Sequence, residues 1–138
     1  LSANVVIGWL ESRDNQVIAG GPTISRKGTI DSGFASTYPE WKSMAGLNWR
    51  NGAFAAGLRW RRVGEVTQYA STNEFGAKDY FDLNGSWSVN DTVSLRAGVN
   101  NLSDTQPVIF VPGVQANTDP STYDTLGRRW HVAMTARF

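Results

Sequence analysis

Arg129-Trp-His-Val-Ala-Met-Thr-Ala-Arg-Phe138 closes the chain with an apolar side chain at every second position. Successive side chains of a strand point to opposite sides. Trp130, Val132, Met134, Ala136 and Phe138 therefore share one face, and Arg129, His131, Ala133, Thr135 and Arg137 share the other. A soluble sheet does not normally end on an exposed aromatic ring. A strand that meets lipid on one side and a polar interior on the other does.

Five further segments alternate in the same way. Ala3, Val5, Ile7 and Trp9 stand against Ser2, Asn4, Val6 and Gly8. Trp41, Ala45, Leu47 and Trp49 oppose Lys42, Met44, Gly46, Asn48 and Arg50, and Phe54, Ala56, Leu58 and Trp60 oppose Gly57, Arg59 and Arg61. Phe81, Leu83, Gly85, Trp87 and Val89 oppose Tyr80, Asp82, Asn84, Ser86 and Ser88. Val93, Leu95, Ala97 and Val99 oppose Thr92, Ser94, Arg96, Gly98 and Asn100. Each run is about 10 residues, the length at which a tilted strand crosses a bilayer.

The connections alternate as well. Asn51-Gly52 predicts a type I′ hairpin, and Asn90-Asp91 predicts a second short turn. Long polar stretches bearing Gly or Pro run from Asp14 to Glu40, from Thr67 to Lys78 and from Ser103 to Thr122. Short turns on one rim and long loops on the other are the pattern of an outer-membrane barrel, whose short turns face the periplasm. Trp49, Phe54, Trp87 and Phe138 then gather at the periplasmic rim as an aromatic girdle. The expected fold class is all-β: an antiparallel transmembrane β-barrel segment of six strands. Trp9, Leu47, Trp49, Phe54, Leu58, Trp60, Leu83, Trp87, Leu95, Trp130, Val132 and Met134 are expected to face lipid.

The competing reading is a soluble antiparallel sandwich, whose strands also alternate. Against it, the polar face carries Arg59, Arg61, Asp82 and Arg96 in mid-strand while the other face carries Trp on nearly every strand. The two rims also differ systematically in loop length.

Composition narrows the chemistry. The 138 residues suffice for one domain, and the lack of cysteine excludes disulfides, thiol nucleophiles and Cys-based metal sites. Thirteen basic and 12 acidic side chains leave a net charge of +1, so no global field draws nucleic acid. Mean hydropathy is −0.33 and no apolar run reaches the length of a transmembrane helix, which leaves strands as the spanning element. The chain starts at Leu1 without an initiator Met, a charged n-region or an apolar h-region. It reads as the C-terminal segment, residues 1–138, of a longer precursor whose plug and earlier strands are absent.

Val93-Ser-Leu-Arg-Ala-Gly-Val-Asn-Asn-Leu-Ser-Asp104 resembles the penultimate strand of TonB-dependent outer-membrane receptors. That strand typically ends in Gly-Val-x-Asn-Leu-Phe-Asp, and Ser103 stands here where Phe is commoner. Tyr123-Asp-Thr-Leu-Gly-Arg-Arg-Trp130, running on to Phe138, resembles the closing strand of the same family, with its Gly-Arg-aromatic opening and terminal Phe. Tyr80-Phe-Asp-Leu-Asn-Gly-Ser86 resembles the strand before these. The resemblance implies a barrel of about 22 strands, of which this chain is the last part, plugged by its own N-terminal domain. It implies a receptor in the outer membrane of a Gram-negative bacterium that imports a scarce nutrient. An iron-siderophore, cobalamin and an oligosaccharide all stay open. The implied partners are outer-membrane lipid, the plug, the TonB complex through the missing N-terminal region, and the barrel-assembly machinery. For that machinery Trp130 and Phe138 are the candidate signal. A passive porin or small barrel is the alternative of the same architecture, and a soluble β-domain binding carbohydrate or protein is the alternative of another class.

No catalytic constellation emerges. His131 is the lone histidine; Ser86, Ser88 and Ser94 share its predicted face, but nothing pairs a nucleophile with it. Glu65, Asp79 and Asp82 are scattered without metal-ligand spacing, and no cofactor is implied. The candidates that remain for contact with a ligand or with the plug are Arg59, Arg61, Asp82, Arg96, Arg129 and His131, all on the inner face. A solvated wall of cross-strand pairs is the plainer role for them. In the loops Tyr69, Phe75, Phe110 and Tyr123 are candidate contacts for sugar rings or aromatic chelators, or an outer aromatic girdle. Ile109-Phe110-Val111-Pro112 is an apolar patch in one such loop.

Overall fold

The alternating segments pair into one open antiparallel sheet. In the computed structural model, which describes residues 1–31, 36–111 and 117–137, its long strands are β1 (Ser2–Trp9), β6 (Trp41–Asn51), β7 (Phe54–Val63), β10 (Lys78–Ser88), β11 (Val93–Asn100) and β12 (Arg129–Ala136). They are hydrogen-bonded in the order β1-β6-β7-β10-β11-β12, each next to its sequence neighbour among the long strands. The described residues contain no helix.

Register is what makes the sheet a membrane wall. Ala3, Leu47, Leu58, Leu83, Val99 and Trp130 pair in one row across the whole sheet. A second row joins Phe54, Trp87, Leu95 and Met134, with the Phe54 and Trp87 rings stacked at 5.9 Å. Between them run Trp49, Ala56, Gly85, Ala97 and Val132. Most of this apolar face is open among the described residues: Trp49, Phe54, Leu58, Leu83, Trp87, Val132 and Met134 are all exposed, and Val99 is buried at its cap end. So broad an exposed patch marks an interface with lipid or protein, not the surface of a soluble monomer. Among the described residues no helix is long and apolar enough to cross a membrane; strands that cross one must pair in a closed sheet.

The hairpin between β6 and β7 differs in detail from its sequence reading. Asn51 pairs with Phe54, so Gly52 and Ala53 form the two-residue loop. Gly52 has φ +55° and Ala53 is not left-handed. That fits a II′ turn with Gly first, not the I′ turn that Asn-Gly predicts, because register shifted the turn by one residue. In the other short connection the Asn90 side chain is the organiser. Its Oδ1 accepts from the Thr92 amide (3.0 Å), the Thr92 hydroxyl (2.9 Å) and the Val93 amide (2.7 Å).

The long connections fold over the opposite rim. The first holds the hairpin β2 (Asp14–Gln16) and β3 (Thr23–Ser25), then β4 (Thr29–Asp31) and β5 (Ser36–Tyr38). The second holds β8 (Val66–Gln68) and β9 (Glu74–Phe75). They join as a sheet ordered β5-β4-β8-β9, in which β4 and β8 run parallel. The sequence suggested only polar loops here. The missing signal is that each piece is two or three residues long, too short for period-2 alternation to show. Under this cap Ile30, Val63, Val66, Tyr80, Val108, Phe110 and Tyr123 form the buried core, with Phe75 packed against it. Pro112 and Phe138 lie outside the described residues.

Candidate functional site

The face opposite the apolar band is the inner wall. One of its rows reads Ser2, Asn48, Gly57, Asn84, Gly98 and His131 across the six strands, polar side chains alternating with glycines. A side chain at Gly57 would meet the amide ends of Asn48 and Asn84 at 3.0 Å, and one at Gly98 would meet the His131 ring at 2.6 Å. The glycines let these polar groups lie flat along the wall.

One step toward the cap the wall becomes charged. Arg59 pairs across strands with Asp82, and Arg61 pairs with Tyr80. Arg59 donates from Nε (3.0 Å) and Nη2 (2.8 Å) to Asp82 Oδ2, and Arg61 Nε stands 3.4 Å from the same oxygen. The Arg61 guanidinium also lies 5.2 Å from the centre of the Tyr80 ring. Asp82 is buried, while the Arg59 side chain is 51% exposed, so the carboxylate sits beneath guanidinium faces that remain open. Arg129 binds Asp124 with both terminal nitrogens, at 2.9 and 3.2 Å. These groups line a recess of 420 Å³ together with Asn100 and residues 120–126. Three guanidinium groups against two carboxylates leave one positive charge in excess.

The structure thus gathers Arg59, Arg61, Asp82 and Arg129 in one place. Arg96 sits elsewhere on the wall, level with Ser86 and Ala133, and has no ion pair among the described residues. His131 borders a neighbouring trough with Asn4, Asn48, Asn84 and Asn100. No group of three or more potential metal ligands exists among the described residues.

The loop aromatics are mostly structural. Phe110 and Tyr123 are buried in the cap core, and Phe75 packs on Phe110 with ring centres 6.4 Å apart. The structure therefore buries Phe110 and Tyr123 in the cap, with Tyr123 also bordering the recess. The loops they belong to have a core of their own to fill. Burial pushes the Tyr123 hydroxyl far above its usual range, so it stays protonated. Tyr69 is half-buried under the Arg26 guanidinium, 3.5 Å from the ring centre. Trp130 is exposed on the apolar face of β12.

Sequence reading missed the residues that hold the recess in shape. Asn101 is fully buried at φ +52°. Its backbone N–H donates to Asp82 Oδ1 at 2.9 Å, and its side chain bonds Thr105 twice, Nδ2 to the carbonyl (3.0 Å) and Oδ1 from the amide (2.8 Å). Asp104 Oδ1 accepts the Arg128 amide at 2.9 Å and so ties the start of the loop to its end. The Asn-Leu-Ser-Asp run that served as a family marker is, physically, this clip.

Asp119, also buried, has Oδ1 bonded by the Ser121 hydroxyl (2.6 Å) and amide (3.0 Å). Burial works to raise its pKa, but hydrogen bonds led by that of the Ser121 hydroxyl together outweigh burial and hold the carboxyl below its usual range. A carboxyl depressed on folding stabilises the cap above its unfolded value and loses that contribution as pH falls through the lower folded value. The cap is therefore expected to loosen as pH falls below the ordinary carboxylate range, followed by aromatic fluorescence on heating. An Asp119→Asn variant should lack that dependence; an identical pH response in both forms contradicts the assignment.

A family model described as TonB dependent receptor-like, beta-barrel matches residues 2–102. A crystal structure of a ferric enterobactin receptor mutant from Pseudomonas aeruginosa has a similar fold, with a TM-score of 0.55 and 18% sequence identity. The similarity covers 84% of this chain and 19% of that one, so the chain spans about a fifth of the receptor it resembles. No curated protein matches the sequence.

Proposed function

The chain belongs to the TonB-dependent receptor β-barrel family, and from that premise we propose that it is the C-terminal wall of an outer-membrane receptor that imports an acidic nutrient, an anionic iron chelate in preference to cobalamin or an oligosaccharide. The observation that carries the ligand class is the guanidinium excess at the recess formed by Arg59, Arg61 and Arg129. Guanidinium groups recognise planar or multidentate oxyanions with paired charge-assisted hydrogen bonds. The same wall faces the lumen, where the proposal places the receptor's own plug, with energy supplied by the TonB complex.

The test is binding of an anionic ferric tricatecholate to full-length receptor in lipid, read by tryptophan quenching. Arg59→Gln together with Arg61→Gln is expected to weaken binding at least tenfold, since a lost charged hydrogen bond costs about 1.5–3 kcal/mol. Uncharged cobalamin serves as the control. Equal affinity of both forms for the anionic chelate, or tighter binding of cobalamin, defeats the ligand assignment.

Assembly is part of the same proposal. Before a barrel closes, the outer edge of β12 is without a partner strand, and such an edge can add to a partner sheet by backbone pairing. Trp130 and Phe138 are proposed as the aromatic part of the signal read by the assembly machinery. Deleting Phe138 from the full-length protein should cause periplasmic accumulation and degradation. Normal insertion with a slightly less stable barrel instead leaves Phe138 with a girdle role alone.

A further inference from the structure

Asp82 uses its two oxygens for two different structures. Oδ2 holds the Arg59–Arg61 pair of the inner wall, and Oδ1 holds the backbone N–H of Asn101, where β11 ends. Asn101 in turn braces Thr105, whose hydroxyl donates to the Asp79 carbonyl at 2.7 Å, and the Asp104 amide returns to the Asn101 carbonyl at 2.9 Å. Asp104 then reaches Arg128, one residue before β12 and beside the Arg129 that borders the same recess. A buried carboxylate is stable only while its charge is paired. Whatever draws the two guanidinium groups away must therefore be felt at the other oxygen.

We propose that Asp82 is a positioning residue that couples the state of the Arg59–Arg61 pair to the order of the Asn101–Thr105 turn, and through it to the loop that leads into β12. An anion that engages the open faces of the arginines loosens their hold on Asp82 and so loosens the root of that loop. Coupling of this kind is reciprocal: a change in the loop changes the affinity of the arginines for the anion. The inference rests on the anion-facing reading of the wall for its ligand, but not for its wiring.

Deuterium exchange of the 101–105 peptide in folded full-length receptor measures the wiring directly, with heat-modifiable migration confirming that each variant is folded. Arg59→Gln with Arg61→Gln should speed exchange about tenfold by leaving Asp82 unpaired. Asp82→Asn keeps an acceptor for the Asn101 N–H but no charge for the arginines to hold. In that background the two arginine substitutions should change nothing further, as a double-mutant cycle requires. Inorganic phosphate, with chloride at matched ionic strength as control, should speed exchange in the wild type and not in Asp82→Asn. The inference is overturned if the arginine substitutions leave turn exchange unchanged, if they act equally in both backgrounds, or if calorimetrically bound phosphate leaves the turn unaffected. Absence of phosphate binding with an intact cycle upholds the coupling and counts instead against the anionic ligand.

Discussion

Replacing Leu58 with arginine is expected to destabilise the lipid-reconstituted barrel by about 2–4 kcal/mol, the cost of a basic side chain near the bilayer midplane. Leu58 lies in the middle of β7, in the row that also holds Leu47 and Leu83. The carboxylate nearest on that face is Asp79, which Arg62 and the Trp60 indole already occupy at 2.8 Å each. An arginine at 58 therefore finds no partner within the apolar band and must bend toward an interface. Asn84→Arg is the matched control, since it adds the same charge to the inner face one strand away. Its effect should stay within about 0.5 kcal/mol, as for most solvated positions. Urea midpoints in lipid vesicles measure both. Because a one-residue slip exchanges the two faces, equal costs at the two sites contradict the register itself.

The wall was legible in the sequence because its signal is long and redundant. Trp130 to Met134, Phe54 to Trp60 and Phe81 to Trp87 each repeat the period-2 pattern several times, and the structure pairs them in a matching register. The cap was not legible, for two physical reasons. Its strands are two or three residues long, and the parallel pairing of β4 with β8 joins segments nearly forty positions apart in the chain. Nothing local in Thr29-Ile30 announces Thr67-Gln68 as its neighbour. The recess was half legible: alternation put Arg59, Arg61 and Asp82 on one face, and cross-strand register then made Arg59 and Asp82 a pair. Asn101 and Asp124 escaped because their roles depend on backbone geometry, a left-handed residue in one case and a loop that folds back in the other.

Gly98→Val is expected to cost about 1–3 kcal/mol, the range for forcing extra atoms into a packed site, although the position faces the polar side of the wall. A Cβ there falls 2.6 Å from His131 Cε1 and 2.8 Å from the Leu83 carbonyl oxygen. The imidazole can swing aside into the lumen. The carbonyl cannot, because it belongs to the backbone of β10, the strand paired with β11 on that side. The clash must then be relieved by moving two hydrogen-bonded strands relative to each other. Gly57→Ala gives the contrast, since the atoms nearest its Cβ are the amide ends of Asn48 and Asn84 at 3.0 Å and both can rotate away. Its cost should be clearly smaller. His131→Ala separates the two contacts at Gly98. If the ring were the obstacle, Gly98→Ala would be fully rescued in the His131→Ala background. With the Leu83 carbonyl as the obstacle, rescue stays partial, and urea midpoints of the double variant remain below those of His131→Ala alone. Full rescue would show that the glycine serves the histidine and not the strand pairing.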